Sequence, residues 1–380
     1  MLKRYSIKNY NFKLIFLALA ISIFGIMMIG SAREGFQIRQ IYGVVLGVIV
    51  MLVVSVIDYT FLLNFYWFIY IFNLVMLISV YIFGDSSNGA QRWIDIGIRF
   101  QPSELAKILL ILFYAQFIIK HREKLNTFRV LASMVLLFLP PLLLIYKQPD
   151  MSTSILIVII FCVLLFIGGL SFKIIGGVLA VVVPIAVIAL VLVLQPDQDL
   201  IKDYQQTRIL AWLQPDKYSN AEGYQQQNSV TAIGSGQLTG KGYKNNVVGS
   251  VKNGNFISEP QTDFIFAIVG EELGFIGCCS LIVLLALLVI ECIKNGRRAK
   301  DLSGTLICAG VAANIGFQSF INIGVATAVL PTTGIPLPFM SYGLTSLVSL
   351  YIGLGLVLNI GLQPIKYQGM YSSKLTFDDE

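Results

Sequence analysis

The sequence predicts an all-α polytopic membrane protein whose chain crosses the bilayer about ten times. Only 13% of its 380 residues are charged and 56% are hydrophobic, whereas a soluble domain carries about 25% charged residues. Apolar runs of about 20 residues recur along the whole chain, and each is long enough for a helix to cross a hydrocarbon core. Most of the protein surface is therefore expected to face lipid.

Ten spans follow from these apolar runs, and a long polar segment follows the seventh. The predicted spans are residues 13–32, 38–57, 64–83, 104–119, 130–146, 154–170, 174–194, 275–293, 303–325 and 344–362. Residues 195–263 form the polar segment, and residues 369–380 form a short polar tail. The expected organisation is one polytopic membrane domain, residues 1–368, followed by that tail.

The first apolar run is expected to be a membrane helix and not a cleaved leader. The residues before it are basic, the run is long enough to span, and no A-x-A-like cleavage site closes it.

The distribution of Lys and Arg predicts the orientation of the chain. With the N-terminus in the cytoplasm, the cytoplasmic segments carry fifteen Lys and Arg, and the short outer segments carry five. Basic residues accumulate on the cytoplasmic side of membrane proteins, and long loops are exempt from this rule. Both termini and the tail are therefore expected in the cytoplasm, and the loop 195–263 is expected outside.

The apolar stretch 264–274 leads directly into the eighth span. A continuous helix over residues 264–293 would be about 45 Å long, which exceeds one hydrocarbon core. We expect this helix to break at Gly270, Gly274 or Gly277.

The polar and irregular segments of the chain fall on the outer side of this topology. They are residues 88–93, 101–107, 147–150, 195–263 and 331–343. Irregular backbone at membrane depth is tolerated only where protein buries it or where it lines a wet cavity. The sequence therefore predicts an outward-facing polar cavity, and any chemistry is expected on the extracytoplasmic side.

Two charged residues at the start of the fourth span have two interpretations. Pro102 suits the first position of a helix, and Glu104 and Lys107 share one helical face because they are three residues apart. They form either an ion pair that closes the start of the helix or a charged pair that lines the cavity, since ionisable residues this close to a membrane are functional by default.

Asp263, at the end of the polar loop, also has two interpretations. Aspartate is a good N-cap for the apolar helix that follows. Alternatively, it is a general base at the mouth of the cavity, because its neighbours Phe264, Ile265 and Phe266 would desolvate it and raise its pKa.

Cationic, glycine-rich and proline-rich features complete the outer side. The basic candidates for an anionic ligand are Arg92, Lys107, Arg208, Lys241 and Lys244. The glycine-rich residues 234–242 could cradle a phosphate, although they do not form a Walker motif.

Residues 331–338 hold three prolines and cannot form a regular helix. Asn314, Gln318 and Asn322 form a polar stripe that is expected to hydrogen-bond between helices.

The cysteines and the single histidine argue against metal-thiolate and His-based chemistry. The five cysteines lie in apolar stretches without metal-ligand spacing and are expected to be core residues: Cys162, Cys278, Cys279, Cys292 and Cys308. His121 lies in a basic loop on the cytoplasmic side, away from the predicted cavity.

Short motifs spread over nearly the whole chain carry a resemblance. They are NGAQRW at 88–93, FQPSELAK at 100–107, QPD at 148–150, GYQQQNS at 223–229, AIGSG at 232–236, TDFIF at 262–266, GEELG at 270–274, NIG at 322–324 and PLPFMSYG at 336–343. In this order they resemble the SEDS family (shape, elongation, division and sporulation), the group of RodA and FtsW. KQPD at 147–150 and FMSY at 339–342 favour the RodA-like members. The family's usual histidine before Thr-Asp is Gln261 here, and its usual second glycine after Ser-Tyr-Gly is Leu344.

The resemblance implies a SEDS-type helical bundle and a peptidoglycan glycosyltransferase of the bacterial cytoplasmic membrane. Such an enzyme polymerises lipid II into glycan strands on the outer face, for cell-wall elongation and rod shape. It works with a class B penicillin-binding protein and other elongation proteins, surrounded by membrane lipid and without nucleic acid. The family's key aspartate matches Asp263, and its functional Glu and Lys match Glu104 and Lys107.

The implied reaction fits these residues. The donor sugar is α-linked to a polyprenyl diphosphate and the product is β-linked, which indicates one inverting displacement. Asp263 is the expected base, and cations must stabilise the leaving diphosphate. The expected substrate- or diphosphate-binding residues are Glu104, Lys107, Arg92, Arg208 and Lys241. A carboxylate-rich cavity without histidine would also suit Mg²⁺ or Mn²⁺, with no ligand residues assigned.

Three alternatives stay open on the sequence. A lipid-linked precursor flippase or transporter would also have ten spans and a polar cavity, but it should carry polar groups through both leaflets. A non-catalytic scaffold of a cell-wall complex would not need Asp263. A FtsW-like paralogue would serve division or sporulation instead of elongation.

Overall fold

The computed structural model describes residues 9–363, apart from 88–89, 96, 98, 194–202, 215–216, 218–221, 245–249, 251–253 and 255. The predicted tail 369–380 and parts of the predicted outer loop therefore lie outside the described residues.

The described chain is a bundle of α-helices, as the composition predicts. Its helices are α1 Phe12–Ala32, α2 Glu34–Val56, α3 Tyr59–Asn64, α4 Tyr66–Phe83, α5 Pro102–Lys120, α6 Phe128–Lys147, α7 Met151–Gly168, α8 Phe172–Val193, α9 Asp203–Leu213, α10 Glu222–Ser235, α11 Ile265–Arg297, α12 Leu302–Ala326 and α13 Leu344–Leu362. Within the described residues, nine of them are long and apolar enough to cross a membrane. α8 occupies the position of the seventh predicted span, and its residues Phe172–Val182 form a shorter apolar helical stretch.

A small antiparallel sheet precedes α5 and was not predicted. Its strands are β1 Gly84–Ser87, β2 Ala90–Asp95 and β3 Arg99–Phe100, in the order β1-β2-β3. Gly84 of β1 pairs with Ile94, and Ile94 pairs in turn with Phe100 of β3. The strands are too short and too polar to show an alternating pattern, so the sequence alone did not separate them from a loop.

Small residues allow the helices of the bundle to pack closely. A Cβ at Gly47 of α2 would lie 2.2 Å from the Tyr351 ring of α13. A Cβ at Gly355 of α13 would lie 2.8 Å from the Met51 carbonyl oxygen of α2. Glycine at these two positions lets the helices approach each other, which is how helices associate where lipid removes the hydrophobic driving force.

The predicted break in α11 occurs at Gly274. This residue has φ 63° and ψ −160°, which is non-helical and suits only glycine. Residues 237–242 bind both sides of the break. The amide N–H groups of Phe275 and Ile276 donate to the carbonyls of Gln237 (2.8 Å) and Leu238 (3.2 Å).

On the other side of the same break, residues 241 and 242 satisfy the carbonyls at the end of the first half of α11. The Lys241 amide donates to the Glu271 carbonyl at 2.9 Å, and the Gly242 amide donates to the Glu272 carbonyl at 3.0 Å. A helix break buried in a bundle needs such partners, because each half leaves backbone groups unbonded. The amides of Lys241 and Gly242 are thus used inside the protein, and the cradling of a phosphate by residues 234–242 stays a prediction.

Candidate functional site

A cavity of about 360 Å³ lies where the predicted outer segments converge. Four parts of the chain supply its walls: α9 and α10 of the long loop, the turn before α11, the end of α12, and the irregular residues that follow α12. The lining residues are Arg208, Gln225, Asp263, Phe264, Asn322, Val325, Thr332, Thr333, Gly334 and Ile335. The structure therefore forms a cavity from segments assigned to one side of the membrane.

Asp263 lies in the turn immediately before α11, and its side chain faces this cavity. Phe264, and not Asp263, is the residue that precedes the first helical residue, and no side-chain capping bond is formed there. The geometry therefore does not support the N-cap interpretation. The residue is half-buried, so the cavity gives access to a carboxyl that is otherwise surrounded by protein.

The surroundings of Asp263 raise the pKa of its carboxyl toward neutral pH. Burial raises the pKa of its carboxyl from an ordinary value of 3.8 to about 6, and the negative charges of Glu259 and Asp150 act in the same direction. Arg208 and Arg92 oppose this shift and lower the pKa. A carboxylate with such a pKa is deprotonated at neutral pH and is still a useful proton acceptor.

The backbone around Asp263 is held by side chains of α12 and of the segment before α13. The Asn322 side-chain Nδ2 donates to the Asp263 carbonyl at 2.8 Å and to the Ile335 carbonyl at 2.7 Å. The Ser341 hydroxyl donates to the Thr262 carbonyl at 2.5 Å. The position of the aspartate is therefore fixed by direct hydrogen bonds to its own main chain.

Glu104 and Lys107 form a buried pair that does not line the cavity. Their side chains are 3–4% and 1% exposed, and Lys107 Nζ lies 3.0 Å from Glu104 Oε2. Lys107 Nζ also donates to Gln318 Oε1 at 2.9 Å. In this structure the ion-pair interpretation holds and the cavity-lining one does not, because neither charge is accessible. Contact of these two residues with a diphosphate stays a prediction.

Arg92 of β2 braces the connection between α6 and α7. Its Nε donates to the Gln148 carbonyl at 3.2 Å, and its Nη2 donates to the Pro149 carbonyl. Asp150, the next residue, caps α7 through the Thr153 amide at 3.1 Å. Arg92 is thus a support beside the cavity, and its positive charge reaches Asp263 electrostatically.

Lys241 lies at the break of α11 and does not line the cavity. Its Nζ is 2.8 Å from Oε1 of the buried Glu271. Lys244 lies further out, in an exposed pair with Glu34 at 3.1 Å. Of the cations predicted to bind an anion, Arg208 alone lies on the cavity lining among the residues that the structure describes.

The described residues do not form a protein binding site for the predicted divalent cation. Within the described residues, no three His, Cys, Asp or Glu side chains converge as a metal cluster. The donors on the cavity lining are one carboxylate with amides and hydroxyls, and this set does not by itself fit a resident Mg²⁺ or Mn²⁺.

Several polar residues of the cavity lining are not selected as site residues by the sequence, among them Asn322, Gln225 and Thr333. Asn322 belongs to a stripe whose spacing predicts contacts between helices, and the motif that contains Gln225 does not indicate a role for it. Thr333 lies in a proline-rich segment whose sequence excludes a regular helix and indicates nothing further. Asn322 and Thr333 share a signal, which is a polar side chain at the outer end of an apolar helix or in the irregular segment next to it. Gln225 lies on the polar helix α10 and carries no such signal.

Comparison with known proteins shows which protein family the chain matches. The family model for FtsW, RodA and SpoVE, described as cell cycle protein, matches residues 5–364. The peptidoglycan glycosyltransferase MrdB of Escherichia coli K12 is 36% identical over 351 residues, which are 91% of this chain and 92% of MrdB. A probable peptidoglycan glycosyltransferase FtsW of Bacillus subtilis is 31% identical over an alignment of 384 positions, and the match covers 95% of this chain and 93% of that protein.

Solved structures agree with these relatives. The rod-shape-determining protein RodA of Thermus thermophilus superposes with a TM-score of 0.67 at 28% identity, covering 93% of this chain and 96% of RodA. A chain of a peptidoglycan synthase complex, solved for the structural coordination of polymerization and crosslinking, gives a TM-score of 0.75 at 30% identity. That match covers 93% of this chain and 97% of the other.

Proposed function

This chain belongs to the SEDS family of FtsW, RodA and SpoVE, and we propose that it polymerises lipid II into glycan strands for cell-wall elongation. It is a multi-pass membrane protein and a peptidoglycan glycosyltransferase, as its relatives are named. The observation that carries the catalytic assignment is the cavity that Asp263, with its raised pKa, lines together with Arg208.

The proposed reaction is a single displacement. Asp263 accepts the proton of the acceptor sugar's 4-hydroxyl while that oxygen attacks C1 of the donor sugar. The bond from C1 to the diphosphate oxygen breaks with inversion, and the polyprenyl diphosphate leaves with the bonding electron pair. Asp263 then releases its proton to water. A general base contributes a factor of about 10² to 10⁴ to such a reaction.

Arg208 is the residue proposed to stabilise the charge that develops on the leaving diphosphate. A guanidinium on the wall of a partly closed cavity binds phosphate oxygens in a bidentate way. Such preorganised charge is often the largest single contribution to catalysis. Arg92 adds positive potential from behind the cavity wall, where its side chain is already bonded to carbonyls.

A divalent cation stays a proposal without assigned ligands. Mg²⁺ usually keeps several waters and binds through one or two carboxylates and the substrate's phosphates. Such an ion would therefore arrive with the diphosphate. Loss of polymerisation in EDTA and its recovery with Mg²⁺ or Mn²⁺ would support the ion, and unchanged activity in EDTA would reject it.

The proposed partner is a class B penicillin-binding protein, with other elongation proteins in the same assembly. The support is the fold match to a chain of a peptidoglycan synthase complex in which polymerization and crosslinking are coordinated. A transpeptidase beside this chain would crosslink strands as they leave the cavity.

The orientation gives a prediction about labelling. We expect Thr239→Cys, an exposed position in the long loop, to react with an impermeant maleimide added to intact cells. Lys124→Cys, exposed between α5 and α6, should react only after the membrane is opened. The wild-type chain serves as the control for background labelling of the native cysteines, which lie in α7, α11 and α12. The reverse pattern would place the cavity in the cytoplasm and contradict the proposal.

A flippase is the main alternative function, and reconstitution separates the two. Purified chain with its partner is placed in vesicles that contain lipid II, and glycan strands and lipid II translocation are measured on the same sample. We expect strands whose synthesis depends on Asp263. Translocation without strands would favour the flippase.

A further inference from the structure

We propose that Gln318 and Asn322 are positioning residues that couple the buried Glu104–Lys107 pair to Asp263 through the irregular segment 331–338. The proposal rests on the proposed function, since it concerns the same base. It gives the ion pair an effect on the reaction without contact between the pair and the substrate.

The first link joins the ion pair to the segment 331–338. Lys107 Nζ donates to Gln318 Oε1 at 2.9 Å, and Gln318 Nε2 donates to the Pro336 carbonyl at 2.9 Å. Gln318 is fully buried. Each end of its amide therefore has one partner, one on α5 and one on the segment. This orientation is well determined, because a reversed amide would point its oxygen at a carbonyl and its NH₂ at an ammonium.

The second link joins the same segment to Asp263. Asn322 lies one helical turn after Gln318, so both side chains leave the same face of α12. The two hydrogens of Asn322 Nδ2 reach two carbonyls, that of Ile335 at 2.7 Å and that of Asp263 at 2.8 Å. Asn322 is 1% exposed. One amide group thus ties the base's own peptide to the segment.

The segment between these two links is stiff and short. Ile335 and Pro336 are adjacent, so the carbonyls that Asn322 and Gln318 hold belong to consecutive peptides. Pro336 and Pro338 have fixed φ angles and no backbone N–H, so this stretch cannot form a regular helix or a central strand. No regular secondary structure holds the segment in place. Its position beside Asp263 therefore depends on these side-chain bonds, together with the Ser341 hydroxyl on the Leu337 amide at 2.8 Å.

The expected consequence of this coupling is that the segment keeps water away from Asp263. Residues 332–335 form one wall of the cavity, and Gly334 lies against the Asp263 carboxyl. If the segment is released, water replaces part of that wall and the pKa of Asp263 falls toward its ordinary value. The charged groups that face Asp263 stay in place in all the variants below. They are Arg208 on α9, Arg92 on β2, Asp150 before α7 and Glu259 before the aspartate itself.

A double-mutant cycle tests whether the pair acts through Gln318. The ion-pair variant is Glu104→Gln with Lys107→Met, which leaves no unpaired buried charge, and the second variant is Gln318→Met. Lipid II polymerisation by the purified complex with its penicillin-binding partner is measured for each variant and for the combination. Residues of one hydrogen-bonded chain are not additive. We therefore expect the combined variant within about threefold of the weaker of the two parents. A loss equal to the product of the two separate losses would overturn the coupling.

A pH profile tests the Asn322 link, with Asn314→Leu as the matched control. Asn314 is on the same helix and equally buried, and its Oδ1 accepts no hydrogen bond from the described residues. We expect Asn322→Leu to move the acid limb of kcat/KM from about 6 downward by about one unit, toward the ordinary aspartate value. Asn314→Leu should leave the limb in place. A merely structural role for Asn322 would lower the active fraction without moving the limb, and that result would overturn the proposal.

The two proposals fail in different ways. If the wild-type complex makes no glycan strands, the proposed function fails and the coupling fails with it. If the wild type makes strands but the cycle is additive or the acid limb stays fixed, only the coupling is rejected.

Discussion

Asp263→Asn should lower the rate of lipid II polymerisation by a factor of about 10² to 10⁴. Asparagine has nearly the same size and can still accept hydrogen bonds, but it cannot take the proton of the acceptor hydroxyl. The described part of the cavity offers no other carboxylate on its lining that could replace it. The measurement is the rate of glycan-strand synthesis by the purified complex.

The stability of the folded state serves as the control for this variant. It is expected to stay unchanged or to rise, whereas activity falls. The unfolded chain has an ordinary aspartate pKa near 3.9, and the folded protein holds the proton up to about pH 6. The stability of the folded state therefore falls as pH rises through this window, and the destabilisation persists above it. Since asparagine lacks that charge, Tm at pH 7.5 should be unchanged or higher.

Glu259→Gln is the matched variant for Asp263→Asn. It removes the same charge four residues earlier, at an exposed position that does not line the cavity. We expect its polymerisation rate within a few-fold of the wild type. Asp263→Asn within that same range would reject Asp263 as the base.

Lys107→Met should cause the largest loss of stability among these variants. It leaves the Glu104 carboxylate buried without its partner, and removing one member of a buried pair costs about 3–5 kcal/mol. Glu104→Gln combined with Lys107→Met removes both charges and should restore most of the Tm. Polymerisation by the double variant should stay about 10- to 100-fold below wild type, because small displacements at a distance misplace the reacting groups.

The comparison of Tm with activity decides what the pair does. If the double variant recovers activity together with Tm, the pair stabilises the fold and has no further role. If Tm recovers and activity does not, the pair acts on the site.

The break in α11 illustrates what the sequence can and cannot predict. Helix length against bilayer thickness was enough to predict a break and to name three glycines. The choice of Gly274 depends on residues 237–242, which bond to both ends of the break from over thirty positions earlier. A Cβ at Gly274 would lie 2.4 Å from the Gly240 amide nitrogen. That contact is tertiary and leaves no local signal.

The helices α9 and α10 of the outer loop could not be predicted for a similar reason. Their sequences are polar, and polar helices depend on tertiary contacts. Gln226 of α10 donates to the Val325 carbonyl at 2.9 Å, and Ser229 donates to the Ala326 carbonyl at 2.7 Å. These carbonyls lie in the last turn of α12, where carbonyls lack their usual helical partners, and that of Val325 also accepts from the Ala328 amide at 3.1 Å. The loop helix is thus ordered by the end of a membrane helix a hundred residues away.

The candidate site was predicted one residue at a time, and its assembly was not. Asp263 was found because a carboxylate opens an apolar helix on the outer side. Arg208 was one of five cations, and only the fold places it with Asp263 while Lys241 goes to the α11 break. The spacing of Gln318 and Asn322 predicts contacts between helices, and Gln318 makes one with Lys107 of α5. The bonds of both residues to the irregular segment 331–338 depend on the fold and have no signal in the spacing.

The pH dependence of polymerisation by the wild-type complex tests the central claim most directly, namely that a desolvated Asp263 is the base. The base must be deprotonated, so kcat/KM should be low in acid, rise about tenfold per pH unit, and level off above about pH 6. The residual activity of Asp263→Asn should lack this limb. A wild-type profile that is flat from pH 4.5 to 8, or a limb that persists in Asp263→Asn, would contradict the account.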